Sequence, residues 1–129
     1  MESIGYKVVS KINSKSFGPA TYLALQSVRY RIGKTTTHDP EKAGPMAVFD
    51  SKENAIRFIN AIYANCVTSE TLYILKVSYV ESNLRALWKH IGRYISEYHL
   101  LQLPPGTFLA ESVTPLEELP GSYEVSNNK

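Results

Sequence analysis

The chain has 129 residues, 43% of them hydrophobic and 20% charged, with a formal net charge of +2. That is one domain of globular composition, and the charge is too mild to point to nucleic acid by itself. A single cysteine excludes a disulfide framework and a cysteine-rich zinc site.

The opening residues MESIGYKVVS show no basic stretch followed by an apolar run, so no signal peptide is expected. No segment approaches the roughly 18 apolar residues of a membrane span. Residues 6–12 (YKVVSKI) are rich in β-branched side chains and alternate in polarity, which predicts a first strand. Residues 14–19 make a turn around Gly18 and Pro19. Residues 20–32 predict a second extended segment, with Val28, Tyr30 and Ile32 on one face and Ser27, Arg29 and Arg31 on the other. Residues 33–45 contain almost nothing apolar and predict a long loop, a length often tied to function. MAVF at 46–49 is a short strand.

Asp50 and Glu53 have capping-box spacing, and Ala55, Ile56, Ile59, Ile62 and Tyr63 follow at helical intervals. A helix is predicted over 51–64. Residues 71–80 (TLYILKVSYV) predict a central strand, since Tyr73, Leu75, Val77 and Tyr79 lie on one face and Leu72, Ile74 and Val80 on the other. Ser82 or Asn83 can cap a second helix over 83–99, where Leu84, Leu87, Trp88, Ile91, Tyr94, Ile95 and Tyr98 recur at intervals of three and four. Residues 103–106 (LPPG) end it. Residues 107–113 are a last strand, and Pro115 and Pro120 bracket an acidic segment. The pattern predicts an α+β fold: one domain over 1–119, a mostly antiparallel mixed sheet of about five strands, and two helices packed on one face. Residues 120–129 are expected to form a flexible tail.

Gly33-Lys34-Thr35 has the end of a phosphate-loop motif, but the required first glycine is Val28 and no helix start follows. The basic residues form two groups. Arg29, Arg31 and Lys34 share a strand face and its loop, while Arg85, Lys89 and Arg93 fall at i, i+4 and i+8 of the predicted helix. Like charges at that spacing repel, so an anionic partner would relieve them; a plain solvated face is the simpler reading. Glu111 alternates with Leu109 and Val113, which places a carboxylate on an apolar strand face. There it could act as an acid or base, or guard a sheet edge against aggregation. His38, His90 and His99 do not assemble metal spacing, and no metal or cofactor is implied. Cys66 has no base near it in sequence and reads as a small buried hydrophobe. Trp88 and the helix tyrosines have the spacing of a core stripe more than of a base-stacking platform.

The runs GPMAVFDSKENAIRF, YILKVSYV and LPPGTFLAESVTPLEEL, about 44–58, 72–80 and 103–119, resemble small uncharacterised proteins of phages, archaeal viruses and related mobile elements. The resemblance implies a viral or mobile-element context and no particular activity. The chain also looks faintly like ADP-ribosyltransferase folds, which would give Glu111 the catalytic carboxylate and Arg29 or Tyr30 the earlier elements. The middle Ser-Thr-Ser of that family is absent, and position 109 is Leu where it has a second acid or amide.

The leading expectation is a small non-enzymatic binding protein that docks on a host or viral macromolecule, foremost a protein, through Arg29, Arg31, Lys34, Arg85, Lys89 and Arg93. One alternative is a small NAD- or nucleotide-using enzyme acting through Glu111. Another is a nucleic-acid binder using the same cations and a surface tyrosine such as Tyr30. The lone thiol fits a reducing compartment, hence cytoplasm, the host's for a viral protein. An uncovered sheet edge would also suit a homodimer.

Overall fold

The computed structural model describes residues 2–13, 16–19, 29–37, 45–63, 70–84, 86–91, 94–99 and 106–125. Its elements in chain order are β1 (Glu2–Asn13), β2 (Ser16–Pro19), β3 (Thr36–Thr37), β4 (Met46–Phe49), α1 (Lys52–Tyr63), β5 (Glu70–Glu81), β6 (Ala86–Ile91), β7 (Tyr94–His99), β8 (Thr107–Glu118) and β9 (Tyr123–Val125). Seven strands form one sheet, and β6 and β7 form a separate two-stranded one. The pairings are antiparallel, and the arrangement is α+β with one helix among the described residues.

The large sheet closes on itself. Tyr6 of β1 pairs with Phe49 of β4 on one edge and with Lys76 of β5 on the other. Ala110 of β8 likewise pairs with Met46 of β4 and with Glu81 of β5. The circuit β1–β4–β8–β5–β1 is therefore complete, a small barrel whose principal strands have no open edge along these pairings. Below β4, β2 lines β1 and β3 lines β8, and a bridge between Phe17 and Tyr30 extends the wall between them.

Alternation along each strand feeds two cores. Val9, Phe17, Tyr30, Met46, Val48, Leu75, Val77, Tyr79, Ala110 and Val113 pack inside the barrel. Val8, Ala47, Phe49, Leu72, Ile74 and Leu109 face outward onto α1, where Ala55, Phe58 and Ile59 cover them. The Phe49 and Phe58 rings lie 5.0 Å apart. The two-faced pattern of residues 71–80 thus has the expected meaning: β5 is central, with one face in the barrel and the other beneath the helix. Gly5 is required on the inner face of β1, because a Cβ there would sit 2.8 Å from the Tyr79 ring and 3.0 Å from the Phe49 carbonyl oxygen.

Several expectations are corrected. Residues 86–91 and 94–99 are a pair of strands and not part of a second helix. Leu87 lies opposite Tyr98, and Ile91 opposite Tyr94. The set 87, 91, 94 and 98 that imitates a helical stripe is thus also two cross-strand pairs. The aromatic and β-branched content of the segment, and the two residues Gly92-Arg93 between the strands, favour a hairpin. The helix cap is Ser51, one residue later than expected. Its Oγ accepts from the Asn54 backbone N–H at 3.1 Å, while the Asn54 side-chain amide donates to Asp50 Oδ1 at 2.7 Å. The last long strand runs on to Glu118, carrying Pro115 within it. Within the expected tail, Tyr123–Val125 pairs with Glu70–Leu72.

Candidate functional site

The barrel interior contains a lysine. Lys7 stands between Tyr6 and Val8, which face the helix, and shares the inner side of β1 with Val9. Only 1% of it is exposed. Its Nζ donates to the Ala47 carbonyl oxygen of β4 at 2.6 Å and lies 5.4 Å from the centre of the Tyr30 ring. The carbonyl satisfies one ammonium proton and the ring face offers a weaker electrostatic attraction. Among the described residues the ion pair present is that of Lys11 with Glu118, at 3.4 Å, and no carboxylate pairs with Lys7. Burial without a counter-charge lowers the Lys7 amine from the ordinary 10.5 to about 7. At neutral pH a large fraction of it therefore carries a lone pair and is a nucleophile.

Tyr30 completes the interior group. It is fully buried, and among the described residues its hydroxyl has no hydrogen-bond partner, as is also true of the buried Ser16 hydroxyl. Burial pushes the Tyr30 phenol upward, so it remains a protonated donor. This corrects the expectation of a surface tyrosine available for base stacking. Each unpaired buried hydroxyl costs about 1–3 kcal/mol, so the interior keeps donor capacity that packing alone does not use.

The second candidate is the basic segment beside this core. Arg29 and Arg31 flank the buried Tyr30 and are exposed, as the alternation predicted, but Ile32, expected on the face of Tyr30, is exposed in a turn; Lys34, after that turn, is exposed as well. The backbone here is closely held. Phe17 and Tyr30 exchange N–H···O bonds of 2.8 and 2.7 Å, and the Lys34 N–H donates to the Arg31 carbonyl at 3.0 Å. The Gly33 N–H donates to the Pro115 carbonyl at 2.7 Å, and Gly33 has the positive φ of 83° that the turn needs. The Thr35 and Thr114 hydroxyls lie 2.6 Å apart, and the Thr36 hydroxyl donates to the Arg29 carbonyl at 3.0 Å. Part of the expected 33–45 loop is thus strand β3 pinned to β8; residues 38–44 lie outside the described residues.

The other sequence candidates do not join these groups. Arg85 and Arg93 lie outside the described residues. Lys89 is on β6, opposite Ser96, so the cationic helix face does not exist as drawn. Glu111 is the extra residue of a bulge, since Glu81 pairs with Ala110 and Val80 with Ser112. The bulge reverses the alternation: Leu109 faces the helix, Val113 faces the barrel, and Glu111 is exposed. Its expected apolar setting is absent, and β8 is an interior strand, so Glu111 is not an edge guard either. Cys66 and His38 lie outside the described residues. Among the described residues no helix is long and apolar enough to cross a membrane.

Lys7 is missed by sequence reasoning because both parities of residues 6–12 carry apolar side chains. The available signal is its shared parity with Val9. Compared with known proteins, the chain matches no family model, no curated protein and no solved structure.

Proposed function

We propose that the chain is a small binding protein that docks through Arg29, Arg31 and Lys34 on an acidic face of a partner protein. The observation behind this reading is a set of exposed cations on a backbone fixed to β2 and β8 by four hydrogen bonds or hydroxyl contacts and tied within itself by two more. Charges held in place lose little freedom on binding and steer a partner of opposite sign. Ile32 and Leu116 are exposed at 45% and 42%, and each is one residue from the Gly33–Pro115 hydrogen bond. They supply apolar contact next to the charge. The viral or mobile-element setting and a cytoplasmic location belong to the same proposal.

The test is capture from lysate by the tagged parent chain and by a variant carrying Arg29→Glu, Arg31→Glu and Lys34→Glu, after nuclease treatment. A protein retained by the parent at low salt, released as salt rises and not retained by the variant supports the reading. Capture indifferent to both salt and charge reversal refutes it. Capture that vanishes with nuclease transfers the same residues to a nucleic-acid partner.

A further inference from the structure

We propose that the barrel interior at Lys7 is a capture site for a small uncharged aldehyde, held as an imine on Nζ. A lysine amine becomes a carbonyl nucleophile when its surroundings strip its charge, and the usual device is enclosure in apolar walls without a counter-ion. Lys7 has that enclosure. It is 1% exposed, it makes a hydrogen bond to a neutral carbonyl, and it shares the interior with Val9, Val48, Leu75 and Val77. Tyr30 is the independent observation. Its hydroxyl is a fully buried donor with no partner among the described residues, on a ring whose centre is 5.4 Å from Nζ.

The chemistry balances with these groups. The Nζ lone pair attacks the carbonyl carbon, and the carbonyl oxygen takes up the proton that nitrogen gives up, forming a carbinolamine. Its hydroxyl then leaves as water as the remaining N–H proton is lost and the C=N bond forms. The Tyr30 hydroxyl is the donor available to the developing oxygen. The product imine is neutral, so no ion is left in the apolar interior. Among the described residues no second cation lines this space, which disfavours aldehydes carrying a carboxylate or phosphate.

The experiment incubates the native chain with propionaldehyde and picoline-borane, an uncharged reductant, at pH 7, which reduces the imine once it takes up a proton to a stable secondary amine, and maps the label by peptide mass spectrometry. Lys34 and Lys52 are the exposed internal references. The site predicts Lys7 labelling at least tenfold faster than either. Its rate should level off just above pH 7. In denaturant the preference should disappear. Lys7→Met should remove that label alone, and Tyr30→Phe should slow it while keeping its pH profile. Labelling of Lys7 no faster than the references in the folded chain overturns the proposal, and an unchanged rate in Tyr30→Phe overturns the part given to that hydroxyl.

Discussion

An amine sealed inside a barrel makes stability rise with pH, the reverse of a lysine held by a carboxylate partner. Lys7 titrates at about 7 in the folded chain, against about 10.4 for a lysine in an unfolded one. Above both values the side chain is neutral in both states and its burial carries no charge penalty. Between them the unfolded chain holds a proton that the folded chain does not, so stability rises with pH. Below about pH 7 both states are protonated and the penalty is constant. The total effect is at most about 5 kcal/mol between pH 7 and 10.5. Tyr30 acts in the other direction at higher pH, because burial keeps its proton on after the unfolded phenol has lost one near pH 10. Urea unfolding should therefore show a midpoint that climbs from pH 7 to about pH 10 and then falls. Lys7→Met, similar in length and without the charge, should be more stable than the parent at pH 7 and flat over that window. A parent chain equally flat would mean that Lys7 is solvated in solution. At this scale the exposure of Arg29 and Arg31 was legible in the sequence and the burial of Lys7 was not, since YKVVSKI does not say which side of β1 becomes the inside of a barrel.

Single elements were legible where one pattern had one reading. MAVF, the helix after Asp50 and the two-faced strand over 71–80 each match a strand or helix within a few residues of the expected bounds. Residues 83–99 failed because the spacing 87, 91, 94 and 98 satisfies both a helix and a hairpin register, and aromatic content and a Gly-Arg pair decide between them. Glu111 failed because a bulge breaks the period of two that reading a face relies on. The helix start carries a local prediction. Ser51→Ala removes the acceptor of the Asn54 N–H and should cost about 1 kcal/mol, whereas Glu53→Ala should be nearly neutral, as measured by thermal or urea unfolding. On β1, Gly5→Ala should cost about 1–3 kcal/mol by overpacking, because the new methyl meets the Tyr79 ring and the rigid Phe49 carbonyl. The same unfolding measurement reads it, and a neutral Gly5→Ala would mean that Tyr79 does not lie across the strand.

The whole molecule depends on pairings far apart in sequence. β1 meets β5 from Glu2↔Val80 to Val9↔Tyr73, and β4 meets β8 across about sixty residues. No local pattern announces such closure, which is why an open sheet was the natural expectation and why folding is expected on the millisecond-to-second scale of non-local β proteins. Closure also couples the two cores, since β1, β4 and β5 each send alternate residues to both: Val8 and Val9, Ala47 and Val48, Ile74 and Leu75. The helix cannot loosen its side without disturbing the backbone that bounds the other. Phe58→Ala, which empties the centre of the helix side, should cost about 3–5 kcal/mol, a large part of the 5–15 kcal/mol typical of a domain. The loss should reach the barrel undiminished. Far-UV circular dichroism and hydrogen exchange at the Leu75 and Val77 amides should report the same drop and one shared transition. If those amides keep the parent's protection while the helix signal is lost early, the barrel stands without its helix, and the site around Lys7 is then a property of the strands alone.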